Sequence, residues 1–430
     1  MTVRGAAFLG IGAMVGAGIF ALLGEAGAVA GAAVWLSFLI AGIVAALLGY
    51  TVVKLGVRYP SSGGLIAYLI QGFGNGRLVG VASWLGYAAA IVIVCSMVAV
   101  AFGSYATALF VGDDAAGWWD NLFTSAVVLG TLAINLIGAK VVDRAQSLIV
   151  VILLAVFAVF IAVTIVDIDF DLLAFSGYPS FSSIVASVAL TFFAYLGFSV
   201  ITFAVGDLRD PARELPRAMY LALGVTSVLY VLISLGVFGT LTVDEAVGYG
   251  ETAIAEAARP ALGEAGFVMV AIAALLATFS SVNATIYASG GLTASLAEVG
   301  QFPPIFGRGS RLGPRAGLIL TAALVLLIAN LVDLSAIASV GSAISLVIFL
   351  LVGVAAYRLR AEIGGRAVVI AAAILLTVVV LGFFAVDTLR NAPETFSAIV
   401  GITLLAVVLD VVWKRMRSAR EHRARASEAP

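Results

Sequence analysis

The sequence predicts an all-α integral membrane protein of about twelve transmembrane helices, in two halves of opposite topology whose first helices are interrupted at mid-depth. Three observations predict it. The 430 residues are 63% hydrophobic and 11% charged, with mean hydropathy +1.17, far from a soluble average. Apolar runs of about 20 residues, the length of one bilayer crossing, recur along the whole chain. Glycine crowds the middle of the first such run, where each one weakens a helix by about 1 kcal/mol relative to alanine.

Hydropathy places the crossings at about 5–28, 32–56, 79–109, 122–138, 146–166, 182–206, 218–241, 265–295, 316–332, 335–356, 366–386 and 395–413. With the N-terminus in the cytoplasm, Lys and Arg sort to the inner loops, among them Lys54, Arg58, Lys140, Arg213 and Arg311; only Arg259 and Arg390 fall outside. Outer loops are acidic instead, with Asp113, Asp114, Asp120, Asp169, Glu245, Glu251 and Glu256. One misplaced crossing would scramble this sorting, so it supports the count and the orientation together.

Within the first crossing, Gly12, Gly16 and Gly18 read as a helix that stops and restarts around something it binds. Broken helix in hydrocarbon is tolerated only where its freed backbone faces protein or a polar cavity. Gly12 and Gly16 also form a GxxxG pair, which would let two unbroken helices pack closely. The polar, glycine-rich stretch from Ser61 to Gly76 reads as a short interfacial or re-entrant helix. A second interruption falls in the sixth crossing at Thr191–Ser199, where Gly197 is the breaker. Crossings one to five and six to ten form halves of odd length, so the sixth starts on the side opposite the first. Interrupted helices at corresponding places of inverted halves point to a transporter site near the midplane.

Composition excludes other classes. The net charge of −1 comes without a basic stripe, so nucleic acid is not a partner. Cys95 is the single cysteine, which rules out an intrachain disulfide, and His422 the single histidine. No GxSxG, HExxH, P-loop or paired intramembrane carboxylate occurs, which argues against an enzyme. The polar loops are too short for a continuous pore or a signalling domain. Met1–Arg4 leads straight into the first crossing, which reads as a retained helix. The expected organisation is one transmembrane domain over 1–413, with repeats at about 5–166 and 182–356 and extra helices at about 366–413. The basic tail, 414–430, is expected to be a solvated or headgroup-touching cytoplasmic end. The surroundings are lipid, and the location the plasma membrane.

Four stretches carry a resemblance. Gly12-Ala13-Met14-Val15-Gly16-Ala17-Gly18-Ile19-Phe20 resembles the first-helix signature of the amino acid–polyamine–organocation (APC) transporters. Pro60–Tyr68 resembles the loop after their second helix, Phe192–Phe198 with Asp210-Pro211 and Leu215–Ala218 their sixth helix and inner loop, and Gly300–Phe306 the loop after their eighth. The resemblance implies the APC fold: a five-plus-five inverted repeat, discontinuous helices 1 and 6, and two extra C-terminal helices. It implies an amino acid permease, a secondary transporter with no organic cofactor.

A zwitterionic amino acid presents a carboxylate and an ammonium. Freed N–H groups at the start of a half-helix suit the carboxylate, and freed carbonyls at the end of one suit the ammonium. The expected donors are Gly16, Ala17 and Gly18, and the expected acceptors Met14, Phe193 and Leu196. Ala17 stands where the family often has serine. Ser199 stands where several relatives carry an acid, which favours neutral substrates; its hydroxyl also has the option of bonding its own helix. Phe193, Tyr195 and Phe198 are candidate pocket aromatics, as is Tyr87 in the third crossing, and Thr285 in the eighth matches a position that closes over ligand in some relatives.

Proton coupling ordinarily needs a titratable group inside the membrane. The position where some relatives hold a lysine is Leu153, and no Asp, Glu, Lys or His occupies the middle of a crossing. Lys54, Arg58, Glu298 and Asp410 lie near ends and are expected to snorkel, leaving Glu25 as the proton candidate. Ala277-Thr278-Phe279-Ser280-Ser281 resembles the sodium-binding strip of transporters that share the inverted repeat. The implied ligands of Na+ are the carbonyls of Gly12, Val15 and Ala277 and the hydroxyls of Ser280 and Ser281, neutral oxygens that suit a hard monovalent cation. The alternative is that these hydroxyls bond the preceding turn. Uncoupled exchange and uniport stay open.

Overall fold

The computed structural model describes residues 2–61, 64–112, 115–137 and 142–428, with the backbone alone for 17, 142–147, 203–204 and 418–428. Asp113, Asp114 and Lys140, used above for orientation, lie outside the described residues. Most of the described residues are helical, and their helices make twelve crossings. The first is α1 (Val3–Ala17) with α2 (Ile19–Ala30), the second α3 (Val34–Arg58). A short α4 (Gly64–Phe73) follows; it packs on α15 and the 3-10 segment introduced below. The third crossing is α5 (Arg77–Tyr87), a π-helical turn (Ala88–Ile93) and α6 (Val94–Phe110); the fourth and fifth are α7 (Trp118–Ile137) and α8 (Val142–Val166). The sixth is α9 (Phe181–Phe193) followed by a 3-10 helix (Leu196–Asp207), and the seventh is α10 (Pro211–Phe238). Short helices α11 (Val243–Gly248) and α12 (Ala253–Glu256) lead to α13 (Arg259–Glu298), the eighth crossing, then α14 (Pro314–Leu331), α15 (Leu334–Arg358), α16 (Ala367–Asn391) and α17 (Pro393–Glu428).

By length and composition eleven segments qualify as spans, because 19–58 counts as one run of 40 residues. Forty residues of helix measure about 60 Å, twice a hydrocarbon core. The chain turns at Gly31 (φ 54, ψ −145), a left-handed backbone that glycine permits, so the run is two crossings.

The crossings sort into two packing groups. In one, α1 lies on α10 and on the 3-10 helix, α10 runs along α3, and α3 lies on α9. In the other, α6, α7, α13 and α14 pack on one another. Between them α1 meets α13, and α8 touches both α10 and α13. Phe20 ties α2 to this seam, stacked on Phe157 of α8 at 5.4 Å and edge-on to Tyr105 of α6 at 5.7 Å.

The end of α17 corrects the expectation for Asp410. Trp413 Nε1 donates to the Gly300 carbonyl at 3.0 Å, while 415–417 are exposed. Lys414 Nζ pairs with Asp410 at 2.9 Å and donates to the Gly76 carbonyl at 3.1 Å. Asp410 is 1% exposed, so it is a buried ion-paired residue and does not snorkel. The spacing i,i+4 puts the pair on one face of α17, and Gly80 of α5 makes room, since a Cβ there would overlap the Asp410 carboxylate.

Candidate functional site

The first crossing does break. α1 ends at Ala17, and Gly18 departs from helical geometry with φ −110 and ψ −73, against about −63 and −42 in an α-helix. The Gly18 carbonyl accepts from Ala21 and Leu22 at 3.3 and 3.0 Å and so opens α2, while its N–H has no backbone acceptor among the described residues. The interruption falls later than the glycine spacing places it. The amides of Gly16 and Ala17 sit in the last turn of α1, and the donors at the start of the second half-helix are Gly18, Ile19 and Phe20. Packing moves it: a Cβ on Gly18 would lie 2.7 Å from the Ala194 Cβ, the Ala194 carbonyl and the Tyr230 hydroxyl.

The sixth crossing breaks at the same place in space. After α9, Ala194 N–H donates to the Thr191 carbonyl at 3.2 Å and Tyr195 N–H to that of Phe192 at 2.9 Å, tightening the chain into i−3 steps. The Tyr230 hydroxyl donates to the Ala194 carbonyl at 3.1 Å, and the Tyr195 hydroxyl to the Phe38 carbonyl at 3.0 Å. Gly197 then lets the 3-10 helix cross α1, because a Cβ there would meet the Met14 nitrogen. The junction is closed: Met14, Ile19, Phe20, Phe193 and Ala194 are each 3% exposed or less.

The other site residues divide. Phe193 lies beside Gly341 of α15 and Ile93 of the π-helical turn. Leu196 and Ser199 are half-buried, and the Ser199 hydroxyl donates to the Leu196 carbonyl at 3.0 Å, inside its own segment. Thr285 donates to the Ser281 carbonyl at 2.8 Å. Tyr87 and Thr321 share a hydrogen bond of 2.8 Å, and Phe302 packs edge-on to Tyr87 at 5.5 Å. The hydroxyls of Ser199, Tyr87 and Thr285 are therefore committed within the protein.

The serine strip of α13 behaves differently. Thr278, Thr285, Ser289 and Thr293 all donate to carbonyls of the preceding turn. Ser280 and Ser281 are half-buried, and no side-chain hydrogen bond is recorded for either among the described residues. A Cβ on Gly16 would lie 3.1 Å from the Ala277 carbonyl and 3.3 Å from the Ser281 Cβ, so the end of α1 faces this strip. Val15, 1% exposed, precedes Gly16, and half-buried Gly12 lies one turn earlier. Among the described residues no three His, Cys, Asp or Glu side chains gather as a metal site.

The sequence offered no signal for Ala194, whose carbonyl is exposed by the break itself. Tyr230 had a faint one: a phenol inside an apolar helix usually seeks a partner for its hydroxyl.

Two discontinuous helices meeting among twelve crossings are the architecture of a multi-pass membrane transporter. The chain belongs to the amino acid permease family, whose model matches residues 2–409. It is 32% identical over 410 residues to the inner membrane transport protein YbaT of Escherichia coli, covering 95% of each chain. It is 28% identical over 376 residues to a methylthioribose transporter of Bacillus subtilis, covering 82% of this chain and 79% of that one. With the serine/threonine exchanger SteT of Bacillus subtilis it shares 27% identity over 301 residues, 68% of this chain and 67% of the exchanger.

Proposed function

We propose that this protein is a secondary transporter of neutral amino acids in the plasma membrane, working by alternating access with sodium as the coupling ion and both termini in the cytoplasm. The observation that carries the reading is the meeting of the two helix breaks at Gly18 and Ala194. The Gly18, Ile19 and Phe20 amides offer a carboxylate the positive end of α2, and carbonyls at the ends of α1 and α9 offer an ammonium its acceptors. Neutral substrates follow from the wall: Ser199 is uncharged, and the residues at the breaks carry no ionisable acid or base beyond tyrosine. Sodium follows from Ala277, Ser280 and Ser281 beside the end of α1, with the Gly12 and Val15 carbonyls completing the set. Transport proceeds as one packing group rocks against the other about the seam that α1 and α13 share.

The test is uptake of labelled amino acids into proteoliposomes. Saturable uptake of neutral amino acids, stimulated by an inward sodium gradient, is the expected result. No uptake of any amino acid overturns the substrate class; equal uptake with choline in place of sodium overturns the ion. Exchange is the second reading, favoured by the name of the similar serine/threonine exchanger; uptake driven by preloaded amino acid without a sodium gradient would establish it.

A further inference from the structure

The outer face holds a group that the transport cycle above does not use. Gly250 has φ +54, and its backbone lies against α2: a Cβ on Gly24 would fall 2.7 Å from the Gly250 oxygen and 3.0 Å from its carbonyl carbon. The turn Gly250–Thr252 packs on both α2 and α6, so the residues that follow each glycine, Glu25 and Glu251, lie on facing backbone, near enough for their carboxylates to repel. Ser104 of α6 stands beside Glu251, and Ser335 of α15 beside Glu25. Both acids are half-buried. Tyr105, next to Ser104, is fully buried, and its hydroxyl has no hydrogen-bond partner. Glu251 and Glu256 are the acids whose charge reaches it.

The other acids that act on the pair add to the repulsion. Asp333 of α15 acts on Glu25 and Asp120 of α7 on Glu251, both repulsively. Arg259, on the same side of the chain's fold as Glu256, is held by Glu256 at 2.8 Å and by Glu264, and stacks over Phe267 at 4.1 Å. Two half-buried carboxylates this near one another cannot both stay ionised cheaply.

We infer that Glu25 and Glu251 form a proton-binding site in the outer gate, with one proton taken from the outer medium when the segment 243–258 closes on α2 and returned there when it lifts. No bond other than O–H forms or breaks. Burial first, and Glu25 among the charges, raises the Glu251 carboxyl above its ordinary value, while Ser104 and a backbone N–H oppose the rise. A value raised in the closed state means that closure is favoured in full below the ordinary carboxylate range. That advantage is lost as pH climbs through the raised value. Release of one proton per opening changes the open-to-closed ratio by at most about tenfold per pH unit. The site is separate from the proposed substrate and sodium contacts.

The test uses a thiol. Cys95, the only cysteine, is fully buried, so Ala253→Cys adds one reporter; Ala253 is 1% exposed in α12, which packs on α2. Labelling by an impermeant maleimide in intact cells is measured from about pH 5 to about pH 8, normalised to the unfolded protein at each pH. The expected result is labelling that rises severalfold with pH in the parent. In Glu25→Gln and Glu251→Gln it should be low and flat, because each neutral amide mimics the protonated acid. Glu245→Gln, which removes an exposed acid on α11, should keep the parental response. Flat labelling in the parent, or an undiminished pH response in both glutamine variants, overturns the proposal. Because the assay needs neither substrate nor sodium, its outcome is independent of the uptake test. A monodisperse elution profile of each variant establishes that it is folded.

Discussion

At Gly18 a β-carbon would stand 2.7 Å from three atoms of the neighbouring break and its tyrosine. Two of the three belong to backbone-anchored Ala194, which cannot swing aside. Gly18→Val therefore forces the breaks apart, and overpacking of this kind costs about 1–3 kcal/mol, so substrate affinity should fall by roughly tenfold or more. Equilibrium binding of labelled substrate checks it, and unchanged affinity would detach the substrate from the helix breaks. Ser280 and Ser281 lack the back-bonds made by their hydroxyl neighbours, so removing both hydroxyls leaves no orphaned partner in the helix. The double variant Ser280→Ala, Ser281→Ala should keep its melting temperature and lose sodium stimulation of uptake. A sodium response of parental size in that variant would refute the ion assignment. Tyr59, just after α3, donates to Glu362 at 2.7 Å, and that bond is the main reason its phenol is raised above the ordinary value.

Among the elements, α17 makes a stability prediction of its own. Asp410 is 1% exposed and Lys414 29%, and their contact is closed over by Gly80. Removing one partner of a buried pair costs about 3–5 kcal/mol; partial exposure of the lysine reduces that figure here. Lys414→Met should lower the thermal midpoint in detergent, and adding Asp410→Asn should restore part of the loss. A double variant no more stable than Lys414→Met would mean that the pair is not coupled. This docking was hidden in the sequence because i,i+4 spacing marks a shared helix face but not what covers it. The helices themselves were legible, since a bilayer demands about 20 apolar residues wherever the chain crosses. The break in α9 was half legible: Gly197 marks the place where the chain crosses α1, whereas the helix has already ended at Phe193 because Tyr230, 36 residues away, takes the Ala194 carbonyl. Likewise Gly16 flagged the first break two residues early. Glycine shows where backbone may approach backbone, and only the partner across the gap decides where hydrogen bonding stops.

For the whole molecule, the sorting of Lys and Arg predicts that reporters fused to either end will be active only on the cytoplasmic side. A periplasmic or external signal from either fusion would invert the orientation. The two packing groups meet along α1 and α13, so the proposed rocking would have to be absorbed at that seam. The 3-10 helix at 196–207 has twelve residues, far beyond the three or four at which such runs usually stop. At about 2.0 Å per residue it spans about 24 Å, and wound as α-helix the same residues would span about 18 Å. Rewinding it as α-helix would shorten the second half of the sixth crossing by about 6 Å and rotate it by roughly two-thirds of a turn. A piston and a screw are wound into one stretch of chain whose upper end is fastened to the junction at Ala194.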